Sequence, residues 1–315
     1  MNSILNELGI KALSSGLESY DNLLCNGVPS KIITIDCGTT RCYKTLTNIQ
    51  KAFSFIKQTQ HPCVYVDTEG GALLTIGLWK EKFEKRFDTK YNVTEAFYDN
   101  VKGWTYEKSS VNFNNSLIVV TVRDIFKLFN LHGTPIDFKI TEEGGRIDVK
   151  RLKPDSLDIY IGEKKVTSEE LPIESTPIGK LLSQTEPCGI IYDSLLELFK
   201  QRIPSTRENF PSRGYLLHNL LGCMQRIAET YGIPVVGIAH TSRDPADPNK
   251  KREKINAETV ISYNCKFITL FRAMSESLTD FRREVTVWRH QSKAPLSESF
   301  VIQPSEMGID EVKVK

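Results

Sequence analysis

Short runs of apolar, β-branched residues recur along the chain, and stretches with helical spacing separate them. Continuous apolar runs of this length suit strands that are buried on both faces of a parallel sheet. The alternation of the two patterns therefore predicts βαβ units on a mostly parallel sheet. The predicted strands are residues 32–35, 64–67, 117–121, 189–193 and 235–239.

Helical spacing of apolar positions follows each of the first three strands and precedes the last. The predicted helix 215–231 ends directly before Gly232-Ile233-Pro234, a combination that stops helices. The other predicted helices are residues 46–58, 77–87 and 123–131.

Two segments do not follow this alternation of predicted strands and helices. Residues 133–175 are polar and rich in turn formers, and alternation around Glu143-Gly144-Gly145 predicts a hairpin. We interpret this segment as an insertion within one domain that spans residues 1–315. Residues 241–258 are rich in proline, aspartate and lysine, which predicts a mobile loop.

The last third of the chain shows β-like apolar patterns again. We expect these stretches to form an antiparallel meander added at one edge of the sheet. They cover residues 265–272, 283–289 and 299–303.

Composition narrows the class of protein. The 315 residues are 40% hydrophobic and 25% charged, with a net charge of +2, so nucleic-acid binding would have to come from local patches. No apolar run reaches the roughly 18 residues that span a membrane, and no signal peptide is apparent. The seven cysteines are scattered without metal-ligand spacing, which favours a reducing compartment. We therefore expect a cytoplasmic protein, or a nuclear one in a eukaryote.

The octet GTTRCYKT lies between a predicted strand and a predicted helix, the context of a phosphate-binding loop. Lys44 would reach the β- and γ-phosphates, and the Thr45 hydroxyl would hold Mg²⁺. Tyr43 stands where such a loop has its last glycine, at a cost of about 1–3 kcal/mol if φ is positive there. A helix start with a chance Lys-Thr pair is the alternative. The candidate nucleotide-binding residues are Gly38, Thr39, Thr40, Arg41, Cys42, Tyr43, Lys44 and Thr45.

Two acidic residues follow predicted strands, at the sheet edge where α/β proteins bind ligands. Asp193 could order the Mg²⁺ shell, or it could simply cap the helix that follows. Glu69 could orient and deprotonate a water molecule as a general base, or it could be a solvated turn residue.

The order of these pieces resembles RecA/RadA-type recombinase cores. Such cores open with a segment similar to residues 14–28, directly ahead of the phosphate loop. The resemblance continues through YVDTEGG, YDS and residues 213–236, and covers nearly the whole chain outside 133–175. It implies a RecA-like P-loop NTPase fold: an α/β core with a mostly parallel central sheet flanked by helices, C-terminal antiparallel strands and an inserted hairpin-containing segment.

The resemblance also implies roles. Residues matching Lys44 and Thr45 bind ATP and Mg²⁺, the one matching Asp193 supports the metal, and the one matching Glu69 is the catalytic base. The family's γ-phosphate sensor, usually Asn-Gln, is replaced here by His240-Thr241. Either residue could bond a phosphate, or His240 could be a solvent-exposed strand end.

Two segments match the family's DNA-contacting loops, residues 200–213 and 241–258. Clustered cations on loops suit phosphate contacts that are sensitive to salt and largely blind to sequence. Phe210 and Tyr215 could stack on bases, whereas ordinary solvated loops are the alternative. The candidate DNA-binding residues are Lys200, Arg202, Arg207, Arg213, Arg243, Lys250, Lys251 and Arg252.

The resemblance to the ATPase core begins near the first residues of the sequence, so we expect the family's N-terminal DNA-binding domain to be missing, and no clear head-to-tail docking element is apparent. We therefore expect a shortened paralogue, archaeal RadB-like or RadA-type, that assists recombination and DNA repair. It would bind ATP with Mg²⁺, hydrolyse it weakly or not at all, and contact single-stranded DNA and a recombinase. A homo-oligomer is a further expectation. The alternatives are a non-catalytic adaptor that docks partners through residues 133–175, and a RecA-superfamily ATPase with another role.

Overall fold

The computed structural model describes most of the chain. The described residues are 7, 9–24, 26–107, 113–133, 138–143, 146–151, 159–161, 164–166, 172–203, 210–243, 253–275, 277 and 279–312.

Eight α-helices lie within the described residues. They are α1 (Glu18–Leu23), α2 (Lys44–Thr59), α3 (Ala72–Phe87), α4 (Ile125–Leu131), α5 (Pro177–Thr185), α6 (Glu197–Arg202), α7 (Phe210–Tyr231) and α8 (Glu258–Asn264). None of these described helices is both long and apolar enough to cross a membrane.

The described strands are β1 (Ala12–Leu13), β2 (Val28–Pro29), β3 (Ile33–Gly38), β4 (Cys63–Asp67), β5 (Asn92–Asp99), β6 (Gly103–Tyr106), β7 (Ser116–Thr121), β8 (Phe138–Glu143), β9 (Arg146–Arg151), β10 (Ile159–Ile161), β11 (Lys164–Val166), β12 (Gly189–Asp193), β13 (Val235–Arg243), β14 (Glu253–Ile255), β15 (Phe267–Ala273), β16 (Arg283–Arg289), β17 (Ser299–Ser305) and β18 (Gly308–Val312).

One 12-stranded sheet organises the molecule, with the order β18-β17-β16-β15-β3-β13-β12-β4-β7-β5-β6 and β14 paired to β13. The strands from β15 to β5 in this order run parallel. The carboxyl ends of β3, β13, β12 and β4 therefore meet at one edge of the sheet. In the register, Gly38 lies opposite His240, and Asp193 lies opposite Asp67.

The mostly parallel central sheet confirms the predicted fold class. The C-terminal strands β15, β16, β17 and β18 pair antiparallel in sequence order, as predicted, and β15 also pairs parallel to β3, which joins the meander to the central sheet. The strand β15 is deeply buried through Phe271, as expected of a strand inside the sheet rather than at its edge. The strands β5, β6 and β18 were not predicted. The pattern of β5 is half-buried and interrupted by polar residues, so it lacks a continuous apolar run.

The predicted hairpin in the insertion is present. Strands β8 and β9 pair antiparallel, with Glu143 opposite Arg146, and form a two-stranded sheet of their own. The prediction that all of residues 241–258 form a mobile loop was wrong at both ends. Thr241–Arg243 continues β13 and pairs with β14, and Ile255 is buried, which fixes the pair to the body of the protein.

Helices cover both faces of the sheet. On one face α4, α5 and α7 pack against alternate residues of the central strands, including Ile33 and Val64. On the other face α1, α2 and α3 pack against the intervening residues, including Tyr65 and Ile191. This three-layer arrangement buries the central strands on both sides, which explains their uninterrupted apolar sequences.

A buried ion pair joins α2 to β3. The Lys51 ammonium contacts the Asp36 carboxylate, and both side chains are fully buried. Tyr20 and Thr269 also donate hydrogen bonds to Asp36, at 2.6 and 2.5 Å. Burial alone would raise the pKa of Asp36, but the Lys51 charge and these hydrogen bonds hold it below its usual value. The network ties α1, α2, β3 and β15 together beneath the loop that follows β3.

Candidate functional site

The loop between β3 and α2 has a backbone shape that normally calls for glycine. Tyr43 caps α2 with φ +62° and ψ 17°, in the left-handed region, and Arg41 has φ +66°. Non-glycine residues in this region carry strain of about 1–3 kcal/mol each. The loop therefore has the backbone turn of a phosphate loop, but it lacks the glycines that adopt positive φ without strain.

The Tyr43 side chain is half-buried and packs beside β16. Its ring lies 5.0 Å from the Arg283 guanidinium carbon, within cation–π range. Arg283 Nε also donates a hydrogen bond to the Arg41 carbonyl oxygen at 3.1 Å. Arg283 thus holds both left-handed residues of the loop, one through its ring and the other through its backbone.

The beginning of α2 is suited to an anion. The first N–H groups of a helix have no partner within the helix, and Tyr43 provides no side-chain cap for them. The first turn also contains no acidic residue that would repel an anion. Lys44 is buried, and its Nζ donates to the carbonyl oxygens of Gly38 and Thr39 at 2.9 and 2.7 Å. Burial lowers the pKa of Lys44.

Asp193 lies beside the start of α2. The Thr45 hydroxyl donates to Asp193 Oδ2 at 2.7 Å, and the Tyr65 hydroxyl donates to the same oxygen at 2.8 Å. Burial raises the pKa of Asp193 to about 6. A cation would stabilise the charged carboxylate that burial disfavours. A hydroxyl and a carboxylate are also the oxygen ligands that Mg²⁺ prefers, so these residues fit the ion.

Glu69 lies on the loop between β4 and α3. The Asp67 carboxylate fixes this loop by accepting hydrogen bonds from the backbone N–H groups of Glu69 and Gly70, at 3.0 and 2.6 Å. Glu69 Oε1 lies 2.7 Å from His240 Nε2. This hydrogen bond holds the pKa of Glu69 below its usual value. The predicted base and the predicted sensor are therefore directly paired.

A cavity of about 400 Å³ opens beside this pair. It reaches from Thr40 in the loop to Thr241 on β13, and Glu197, Lys200 and Gln201 form its α6 wall. Thr241 is buried and pairs with Ile255 of β14. The remaining loop positions differ in exposure: Thr39 and Thr45 are half-buried, Thr40 and Arg41 are exposed, and Cys42 is buried.

The candidate DNA-binding residues are only partly described. Lys200 Nζ lies 3.6 Å from Glu197 Oε2. The Arg213 guanidinium on α7 donates to the carbonyl oxygen of Ile203, directly after α6. Tyr215 is half-buried and packs against the core. Arg207, Lys250, Lys251 and Arg252 lie outside the described residues, as do the side chains of Arg202, Phe210 and Arg243.

Three residues of this region were not predicted from the sequence. Tyr65 is the second donor to Asp193, Glu197 faces Glu69 and His240, and Arg283 supports the loop. A signal existed for Tyr65, because a tyrosine in a buried strand needs a partner for its hydroxyl. The sequence contained no such signal for Glu197 or Arg283, since both are distant in sequence from the residues that they approach.

Comparison with known proteins agrees with this architecture. No protein-family model matches the chain, and no curated protein matches it. Among solved structures, the crystal structure of the RadB recombinase matches with a TM-score of 0.55 and 16% sequence identity. The match covers 96% of this chain and 100% of that one. The chain has a RecA-like fold. In this RecA-like fold, the loop 38–45, Glu69, Asp193 and His240 lie at the shared carboxyl edge of the parallel strands.

Proposed function

We propose that the chain binds ATP with Mg²⁺ at the loop 38–45. The observation that carries this proposal is the 2.7 Å hydrogen bond from Thr45 to the buried Asp193, beside Lys44 at the head of α2. In the bound state Lys44 would hold phosphate oxygens in place of the Gly38 and Thr39 carbonyls. Thr45 and Asp193 would support the metal, which would neutralise phosphate charge.

Hydrolysis is weak or absent in this proposal. A general base must have its carboxylate free to accept a proton from water. Glu69 instead bonds His240, and this bond lowers the pKa of Glu69, which makes it a weaker base. Glu69 would be the base in any residual reaction, while His240 and Thr241 are the candidates for sensing a terminal phosphate.

Calorimetric titration with MgATP and MgADP tests the binding proposal. Lys44→Ala should weaken binding at least tenfold, because the cation that faces the phosphates is lost. Lys57→Ala is the matched control, since Lys57 is an exposed lysine at the far end of the same helix. If neither the wild type nor Tyr43→Gly binds either nucleotide, the proposal is wrong.

We further propose a supporting role in DNA recombination and repair, in the cytoplasm or a eukaryotic nucleus. The cations within residues 200–213 and 241–258 and the fold shared with the RadB recombinase support this role. Single-strand binding should weaken with salt, and replacing Lys250, Lys251 and Arg252 with serine should reduce the logarithmic salt slope by about 2. Fluorescence anisotropy measures this slope, with the exposed Lys90→Gln as control. No binding at low salt would favour a RecA-superfamily ATPase of another role.

An adaptor role is the second candidate, and the separate hairpins favour it. Strands β8 and β9, like β10 and β11, pair only with each other among the described residues. Strand edges outside the main sheet are available for pairing with another chain. Pull-down of a recombinase with and without residues 134–171 tests this role, and unchanged capture after the deletion would argue against it.

A further inference from the structure

Two buried cysteines meet at the amino ends of neighbouring strands. Cys63 is the first residue of β4 and lies opposite Gly189, the first residue of β12. Cys188 directly precedes Gly189, and its N–H donates to the Pro62 carbonyl oxygen at 2.7 Å. This hydrogen bond extends the pairing of the two strands by one residue. Cys63 and Cys188 are therefore diagonal neighbours across the strand pair.

Each thiol group reaches the segment that carries the other cysteine. Cys63 Sγ donates to the Gly189 carbonyl oxygen at 3.3 Å, and Cys188 Sγ donates to the His61 carbonyl oxygen at 3.6 Å. Both side chains belong to the buried cluster on the face of the sheet that α1, α2 and α3 cover. Burial raises the pKa of Cys63 well above its usual value, and a hydrogen bond to the Cys188 side chain raises it further. The two sulfur atoms are therefore close enough to interact directly.

The spacing of the backbone suits a disulfide between these residues. Neighbouring strands lie about 4.8 Å apart and each residue advances about 3.3 Å, which places diagonal Cα atoms about 5.8 Å apart. Disulfides join Cα atoms that are about 4.4–6.8 Å apart. A bond between Cys63 and Cys188 therefore needs no large shift of either strand.

The two thiols differ in their access to small molecules. Cys188 is 7% exposed and lines a cavity of about 410 Å³, together with His61 and Tyr231. Cys63 is fully buried. A small oxidant that enters this cavity reaches Cys188 first, and the Cys63 thiol is then the neighbour that can react with the oxidised sulfur.

We propose that Cys63 and Cys188 form a reversible modification site, at which hydrogen peroxide converts the two thiols into a disulfide. The Cys188 thiolate attacks one peroxide oxygen and the O–O bond breaks, which gives a sulfenic acid and a hydroxide that takes up the proton lost by the thiol. The Cys63 sulfur then attacks the Cys188 sulfur, and its proton leaves with the hydroxyl group as water. Two thiols and one peroxide thus give one disulfide and two water molecules. Low-molecular-weight thiols in a reducing compartment would reverse the bond.

The site is separate from the candidate nucleotide site, and it does not rest on the proposed function. The cysteines lie at the amino ends of β4 and β12, whereas Asp67 and Asp193 end the same strands at the carboxyl edge. A disulfide would close the long segment of chain between β4 and β12 into a loop, which restricts the unfolded state more than the folded one. Oxidation should therefore raise the midpoint of unfolding in urea.

The test is treatment of the full-length protein with hydrogen peroxide, alkylation of the free thiols, digestion without reduction and mass spectrometry. We expect a pair of peptides joined through Cys63 and Cys188, which dithiothreitol separates. Cys63→Ser and Cys188→Ser should each abolish this cross-link. Cys265→Ser should keep it and is the matched control, because Cys265 is as buried as Cys63 but belongs to the cluster on the opposite face of the sheet.

Oxidation of the exposed Met274 shows that the peroxide treatment was effective. Under that treatment, either of two results in the wild type would overturn the site. One is that Cys63 and Cys188 are both recovered as alkylated thiols. The other is that Cys188 is recovered as a sulfinic acid while Cys63 stays a thiol, because the two sulfur atoms then do not meet. Equal urea midpoints for the cross-linked and the reduced protein would overturn the stabilising effect of the bond.

Discussion

At the scale of single residues, the loop 38–45 departs most from expectation at two positions. Tyr43 and Arg41 both adopt left-handed backbone angles without being glycine. The sequence raised this question for Tyr43, because glycine is usual there, but it gave no reason to suspect Arg41. The strain persists because Arg283 on β16 contacts both residues, and these contacts join positions 240 and 242 residues apart that no local pattern encodes.

Relief of this strain should be measurable at Arg41. Its side chain is exposed, so Arg41→Gly removes little packing while it removes the steric cost of φ +66°. We expect a gain of about 1 kcal/mol in the free energy of unfolding, measured by urea denaturation. Arg41→Ala keeps a Cβ and should change stability little. Equal effects of the two substitutions would contradict the assignment of strain to the backbone.

Asp193 should destabilise the ligand-free fold at neutral pH. Its folded pKa, about 6, lies above the unfolded value of about 3.9. The native state therefore binds the proton more tightly, and the stabilisation present below pH 4 is lost as the pH rises through 6. Each unit of pKa difference corresponds to about 1.36 kcal/mol. The free energy of unfolding of Asp193→Asn should therefore exceed that of the wild type by about 3 kcal/mol at pH 7, and by almost nothing at pH 4. Urea denaturation at both pH values measures this, and a constant difference between them would refute it.

At the scale of elements, most strands and helices of the parallel core could be predicted, whereas the partners of the strands could not. Continuous apolar runs identified β4, β7, β12 and β13 because burial on both faces removes alternation. The parallel pairing of β15 with β3 was not predicted, since a buried apolar run does not show its direction. The strand β5 was missed because polar residues interrupt its apolar pattern.

The pairing of β15 with β3 depends on a close backbone approach at Gly38. A Cβ at Gly38 would lie 2.5 Å from the Phe271 carbonyl oxygen, so Gly38→Ala must push the strands apart. We expect a loss of about 1–3 kcal/mol in the free energy of unfolding, measured by chemical denaturation. Gly71→Ala is the matched control, because a Cβ at that position would have no neighbour within 4 Å and the φ of Gly71 is negative. It should cost less than about 1 kcal/mol.

At the scale of the whole molecule, the sheet brings together groups that lie far apart in sequence. Thr45 and Asp193 meet because α2 begins, and β12 ends, at the carboxyl edge of the parallel strands. The βαβ pattern in the sequence predicted this arrangement. The bond between Glu69 and His240 could not be foreseen, since side-chain direction at a strand end depends on the packed structure.

A second buried group, His132, also makes stability depend on pH in this range. Its effect on the free energy of unfolding is opposite in sign to that of Asp193. Burial lowers the pKa of His132 to about 4, and the ring bonds the Leu128 carbonyl and the Tyr192 hydroxyl. Because the folded pKa lies below the unfolded value of about 6.5, this stabilisation is present above pH 6.5 and is lost as the pH falls through 4. It largely offsets the contribution of Asp193 over the same interval.

His132→Gln should therefore remove an acid-sensitive contribution of about 3 kcal/mol between pH 7 and pH 4. The wild type should lose that much more stability than the variant over this interval, as measured by denaturation at each pH. His61→Gln is the control, because His61 is exposed, and its pH profile should follow the wild type. Parallel profiles for all three proteins would show that His132 is not the source.

Because Arg283 contacts the loop 38–45, the fluorescence of a nearby tryptophan should report whether the loop is occupied. Trp288 lies on the same strand as Arg283, β16, and is partly buried against the core. If the proposed phosphate binding displaces Arg41 or Tyr43, the Arg283 guanidinium that contacts them should move as well, and β16 would carry this movement to the Trp288 indole. Occupancy of the loop should thus register as a change in tryptophan emission, without labels and at a distance from the ligand.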